Sequence, residues 1–200
     1  PVGDRPLAFV DVETTGLDPV RHEIVSFAVV FDEADVNMGK VLKEGLTVRD
    51  GYAYFFTLIK PQNLEVAEPK ALEINGYAAH PEKWDDAPTF NEVAEKVARL
   101  LDGAVPVGHN VTFDTSFIQE ALRRAGNKTR LDYHRIDTCN LVFEHLVPAG
   151  ITRLSLDTVR DFFGWDKTDA HTALRDALDA RRVYKTLSRA TWLQRWWWSL

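Results

Sequence analysis

The spacing of apolar residues changes several times along the chain, and each change marks an element. Residues 7–10 are an unbroken apolar run that passes into Asp11, Val12 and Glu13 in alternation, the pattern of a buried strand reaching its exposed end. Thr14, Thr15 and Gly16 then supply the turn chemistry that stops it. Residues 23–31 and 52–59 are β-branched and aromatic runs that predict two further strands, antiparallel to their sequence neighbours. Between them, residues 32–51 are polar, interrupted by Gly39, Gly45 and Gly51, and long for a hairpin, so they predict an excursion with a short strand around residues 46–48.

Beyond residue 60 a helical period takes over. Residues 68–75 predict a short helix ended at Gly76, and residues 79–88 a loop. Thr89 and Glu92 have capping-box spacing ahead of Val93, Val97, Leu100 and Leu101, an amphipathic helix closed by Gly103. A short strand over residues 104–108 leads into His109 and Asn110, followed by a helix over residues 113–124 stopped by Gly126. At Ile136, Asp137 and Thr138 a strand and a helix start fit equally well. Residues 154–163 predict a helix ended by Gly164. Residues 172–187 predict the last helix, with Ala173, Ala177, Ala180, Val183 and Leu187 on its inner side. Three strands followed by strands alternating with helices imply an α/β fold: a mixed central sheet, its first strands antiparallel, with helices on both faces.

Composition narrows the class. With 200 residues, 45% hydrophobic and 27% charged, the chain suits one globular domain, placed at residues 1–190. A tail over residues 191–200 holds Trp192, Trp196, Trp197 and Trp198; it could pack on the body or dock on a protein partner, and is too short to span a membrane. One cysteine, Cys139, cannot form an internal disulfide, and no amino-terminal segment has the form of a signal peptide or spanning helix, so the expected location is cytoplasmic. A net charge of −6 argues against a protein that holds nucleic acid by a broad positive field, but not against an enzyme that grips one strand end.

Candidate chemistry lies in three places. Asp11 and Glu13, at i and i+2, project from one side of their strand, and two such anions stay ionised at neutral pH only beside a positive charge. Oxygen-only ligands favour Mg²⁺ or Mn²⁺ over Zn²⁺; the alternative is a solvated strand end. In GHNVTFD, Asp114 falls in the first turn of a helix, whose dipole predicts an ionised carboxylate. In DAHTALRD, His171 precedes Asp176 by five residues at the start of the last helix.

Taken together, VDVETTG, GHNVTFD and AHTALRD resemble, in order and approximate spacing, the three motifs of the DEDDh or DnaQ-like 3′-to-5′ exonucleases, a family that includes the epsilon subunit of bacterial DNA polymerase III and ribonuclease T. The resemblance runs from about Phe9 to Tyr184 and implies a ribonuclease H-like fold. It implies metal-binding acids at Asp11, Glu13, Asp114 and Asp176, with His171 as the family histidine. A sister group has tyrosine where this chain has Thr172.

Two Mg²⁺ or Mn²⁺ ions about 4 Å apart would serve both ends of an in-line phosphodiester displacement, with Asp11 bridging them and His171 taking the proton of the attacking water. The resemblance places Thr14, Thr15 and Leu17 at the terminal nucleotide, with Ile74 and Asn75 of LEINGY flanking its base. Phe113 is a stacking partner or a core aromatic, and His109 and Asn110 complete the substrate-facing set, Asn110 with the alternative of tying its own loop. Arg123, Arg124, Lys128, Arg130 and Arg135 could line a path for phosphates or form a solvated face. The expected activity is hydrolysis at single-stranded DNA or RNA 3′ ends, releasing nucleoside 5′-monophosphates in proofreading or repair, with a polymerase as a candidate partner. The alternative is a silent nucleic-acid-binding or polymerase-docking module. A structural calcium site leaves His171 unexplained.

Overall fold

The computed structural model describes residues 5–32, 41 and 43–189. Six strands, β1 (Leu7–Thr14), β2 (Ile24–Asp32), β3 (Thr47–Arg49), β4 (Tyr52–Leu58), β5 (Val105–Gly108) and β6 (Ile136–Asp137), form one sheet in the order β3-β4-β2-β1-β5-β6. The pairs β1/β2, β2/β4 and β3/β4 are antiparallel, whereas β1/β5 and β5/β6 are parallel. This is the mixed sheet that the chain order predicts, antiparallel while strands follow one another and parallel once helices intervene.

Strand alternation sorts the core into two layers. Ala8, Val10, Phe27 and Val29 point to one face and pack under helices α2 (Phe90–Leu101) and α3 (Val111–Arg124), against Val97, Phe117 and Ile118. Phe9, Ala28, Val30 and Val107 point to the other, under α6 (Ala173–Leu187), whose Ala173 and Ala177 allow the helix close to the strands. Each Val, Ile or Phe in these layers, fully buried, stabilises the fold by roughly 1.5–3 kcal/mol. Helices α4 (Thr138–Leu146) and α5 (Leu156–Phe163) enclose a third cluster with the far half of α6, built on Val142, Leu146, Val159, Val183 and Leu187.

Asp11 and Glu13 share the parity of Phe9 and therefore face the α6 side of the sheet. The β1/β5 ladder runs only from Leu7 to Phe9, so the later part of β1 has no strand on that side. α3 begins there, and Asp114 fills the gap by accepting the Val12 N–H at 2.9 Å.

Some elements differ from expectation. Residues 81–84 form a 3₁₀ turn rather than loop, and it buries Trp84, whose indole N–H donates to the Val25 carbonyl at 2.7 Å. Residues 136–138 are both things at once: β6 ends at Asp137, which caps α4 by accepting from the Cys139 N–H at 2.9 Å. α3 starts two residues earlier than expected because Asn110 takes the left-handed conformation, φ 67°, and turns the chain directly into the helix. The short helix predicted over residues 68–75 is α1 (Pro69–Ile74). The tryptophan-rich tail and residues 33–40 lie outside the described residues. Among the described residues no helix is long and apolar enough to cross a membrane.

Candidate active site

The acids meet where β1 ends beneath the start of α6. Asp11, Glu13 and Asp176 each offer a carboxylate oxygen, and these oxygens lie within 4.8 Å of one another. Asp114 approaches from α3; it is buried, with one oxygen spent on the Val12 N–H, and stands outside that trio while adding to its negative field.

Electrostatics mark the cost of the arrangement. Burial, then the charges of Asp114, Asp176 and Glu13, hold the Asp11 carboxyl well above its ordinary range, with Arg160 opposing. Burial, then Asp176 and Asp114, push Glu13 up to about 8. Asp114 is raised to about 7 by burial, with Asp137 and Asp176 adding to it, against the Val12 and Asp114 backbone donors. The helix dipole was expected to keep Asp114 ionised; burial among acids outweighs it. Asp176 is raised by burial too, with Arg160 opposing. Carboxylates gathered in this way, offering only hard oxygen donors, fit a divalent cation, whose charge removes the repulsion that otherwise forces protons onto them.

His171 sits at the rim, with its side chain 46% exposed. Its backbone takes the left-handed conformation, φ 62°, its N–H donates to Asp176 Oδ1 at 3.2 Å, and its Nε2 lies 3.4 Å from Asp157 Oδ2. One participant was not foreseen. Arg160, fully buried on α5, donates to Asp176 at 2.6 Å, to Asp157 at 2.8 Å and to Asp179 at 2.8 Å. In sequence it is a mid-helix arginine with no motif around it. Only its spacing of three residues from Asp157 on the same helix hinted at a pair.

The substrate-facing candidates divide in two. Leu17 is 72% exposed and Ile74 47% exposed, and Asn75 Nδ2 donates to the Thr14 carbonyl at 3.0 Å, which brings the end of α1 beside the end of β1. The hydroxyls of Thr14 and Thr15 are buried, donating to the Gly16 carbonyl at 2.7 Å and accepting from the Glu23 N–H at 2.9 Å respectively, so both build the turn. His22 is buried under this turn: its Nδ1 accepts the Asp18 N–H at 2.9 Å, and a Cβ on Gly16 would lie 2.6 Å from its ring. Asn75 is also tied down, its Oδ1 accepting the Tyr77 N–H at 3.0 Å.

His109 has both ring nitrogens engaged inside the fold, with Thr138 Oγ1 at 2.9 Å and the Leu154 carbonyl at 2.5 Å, and burial lowers its pKa. Asn110 turns the chain, its N–H donating to Asp137 at 3.0 Å, and its side chain is exposed. Phe113 is partly buried against the core, 4.8 Å from the Phe117 ring. Of the basic residues, Arg123 pairs with Glu120, and Arg124 braces the turn after β1 through the carbonyls of Pro19, Val20 and His22.

An exonuclease family model, RNase_T, matches residues 8–184. The chain belongs to this exonuclease family. Two curated relatives are similar to it: the PolC-type DNA polymerase III of Thermotoga maritima, 29% identical over 91% of this chain, and the DNA polymerase III epsilon subunit of Pasteurella multocida, 27% identical over 90% of this chain. The chain spans 12% of the first and 66% of the second. Among solved structures, a zinc-bound complex of E. coli exonuclease I with single-stranded DNA superimposes over 96% of this chain and 42% of its own, with a TM-score of 0.72 and 19% identity. That likeness establishes the fold, the ribonuclease H-like class implied by the three motifs; the family membership rests on the match over residues 8–184.

Proposed function

We propose that this exonuclease-family domain hydrolyses phosphodiester bonds from the 3′ end of single-stranded nucleic acid in a divalent-metal-dependent reaction, releasing nucleoside 5′-monophosphates. The observation that carries this is the convergence of Asp11, Glu13 and Asp176, with His171 joined to Asp176 through its own N–H. Phosphodiester hydrolysis needs an attacking water that gives up a proton, and compensation for charge on the phosphoryl and leaving oxygens. Bound at the trio, a pair of Mg²⁺ or Mn²⁺ ions would supply that compensation.

The chain's own residues do the rest. Asp11, Glu13 and Asp176 hold the cations, and Asp114 adds negative charge from the α3 side. His171, exposed at the rim, accepts the water's proton, a task suited to imidazole near neutral pH. Leu17 and Ile74, both exposed, present apolar surface for the terminal nucleotide, while Thr14, Thr15 and Asn75 fix the turn beside it. The names of the relatives favour DNA as the substrate and a replicative polymerase as the partner. A docking-only module has no use for acids whose burial and mutual repulsion cost stability.

The test is release of label from a 3′-labelled single strand, on matched DNA and RNA, in Mg²⁺, Mn²⁺ or EDTA. Labelled nucleoside 5′-monophosphate is expected with metal and none in EDTA or with Asp11→Ala. His171→Ala is expected to lower turnover by ~100-fold or more while retaining metal binding. Wild-type activity in both variants, or activity in EDTA, refutes the proposal.

A further inference from the structure

Asp176, Arg160, Asp157 and His171 close a ring of polar contacts. Arg160 reaches Asp176 Oδ1 at 2.6 Å with one terminal nitrogen and Asp157 Oδ1 at 2.8 Å with the other. Asp157 Oδ2 stands 3.4 Å from His171 Nε2, and the His171 N–H returns to Asp176 Oδ1 at 3.2 Å. The third nitrogen, Arg160 Nε, donates to Asp179 at 2.8 Å, which Arg175 also meets at 2.9 Å. Arg160 is among the largest side chains in the molecule with no exposure at all. A guanidinium so deep is tolerated only with its fork fully paired, and the pairing in turn fixes its carboxylate partners.

We propose that Arg160 and Asp157 are positioning residues for the reaction, Arg160 acting through Asp176 and Asp157 acting through His171. This rests on the proposed function. With two donors on Asp176 Oδ1, Oδ2 is the oxygen of that carboxylate left without a donor among the described residues, so Arg160 presents Asp176 to a cation through one oxygen in one rotamer. His171 occupies a backbone conformation unfavourable for a residue with a Cβ, and such a conformation persists only where its surroundings hold it. Asp176 holds its backbone and Asp157 its ring, so the imidazole is fixed at the rim beside Asp176. Partners behind a metal ligand or a catalytic base set orientation in this way, and their loss typically costs ~10–100-fold in affinity or activity.

The experiment uses Asp157→Asn, Asp157→Glu and Arg160→Lys in the whole chain, with steady-state hydrolysis of a 3′-labelled oligonucleotide and, separately, Mn²⁺ binding to the substrate-free protein by electron paramagnetic resonance. Asp157 is 44% exposed and Asn keeps an oxygen to accept from Arg160, so Asp157→Asn leaves the core intact. It is expected to lower kcat by about 10-fold, with KM and Mn²⁺ affinity held within about twofold, Asp157→Glu recovering part of the loss. In a His171→Ala background Asp157→Asn is expected to add no further loss, because its effect passes through the imidazole. Arg160→Lys, which keeps the charge but not the fork, is expected to weaken Mn²⁺ binding by about 10-fold. Wild-type kcat in Asp157→Asn, or the same loss repeated in the His171→Ala background, overturns the role of Asp157. Unchanged Mn²⁺ affinity in Arg160→Lys overturns that of Arg160, and this readout decides even if the parent proves inactive, the result that would instead refute the proposed function.

Discussion

At the scale of the residue, the acids of the cleft make a pH signature. Glu13 is pushed up to about 8 and Asp114 to about 7, above the ordinary values of 4.5 and 3.8. Between those limits the folded chain holds protons that the unfolded chain has released, so their contribution to metal-free stability is full below about pH 4 and is lost as pH rises through 7 to 8. Glu120 and Asp132, held at about 2 by arginine partners, act in the opposite sense and only at lower pH. His109, which burial keeps neutral, opposes Glu13 and Asp114 up to its ordinary value of 6.5, so in EDTA the urea midpoint is expected to fall between about pH 6.5 and pH 8. Added Mg²⁺ should raise it more at pH 8 than at pH 6, and Glu13→Gln should lose most of that Mg²⁺ response while melting no lower in EDTA. A metal-free midpoint that rises with pH over that range would contradict the electrostatics. The sequence exposes Asp11 and Glu13 because strand alternation puts i and i+2 on one side. It exposes Asp114, Asp176 and His171 only through motif order. It conceals Arg160, since an arginine in a polar helix looks the same whether solvated or buried, and it conceals His22, whose ring is drawn under the turn by backbone hydrogen bonds.

At the scale of the element, what was legible is what is periodic. The long strands and amphipathic helices follow from runs of ten or so residues, and Thr89 with Glu92 begins α2 as their spacing predicts, Glu92 accepting the Thr89 N–H at 2.7 Å. The two-residue β6 and the four-residue turn around Trp84 carry no period and were open or missed. Trp84 matters more than that short turn suggests, because it is buried, lies 5.0 Å from the Tyr77 ring and gives the Val25 carbonyl a second donor beside the Ile59 N–H. Trp84→Ala is expected to cost about 3–5 kcal/mol and Trp84→Phe, which keeps most of the packing but not the donor, about 1–2 kcal/mol, measured by urea unfolding. No loss in Trp84→Phe would show that the indole hydrogen bond contributes nothing.

At the scale of the whole molecule, the sheet explains why residues so distant in sequence converge. β1 lies inside the sheet, antiparallel to β2 and parallel to β5, so its end is reached by the helix that follows β5 and by the last helix across the other face. One strand and two helices thus deliver Asp11, Glu13, Asp114 and Asp176 to a single rim, and the ring through Arg160 ties the loop of His171 to it. The proposed 3′-to-5′ direction of attack belongs to this scale, and it can be seen on one gel. A single strand labelled at its 5′ end, incubated with the protein and Mg²⁺, is predicted to give a ladder shortening stepwise from the 3′ end, absent in EDTA and with Asp11→Ala. Label released at once as mononucleotide, a single internal cut, or a ladder that persists in EDTA would contradict a cation-dependent 3′-end nuclease.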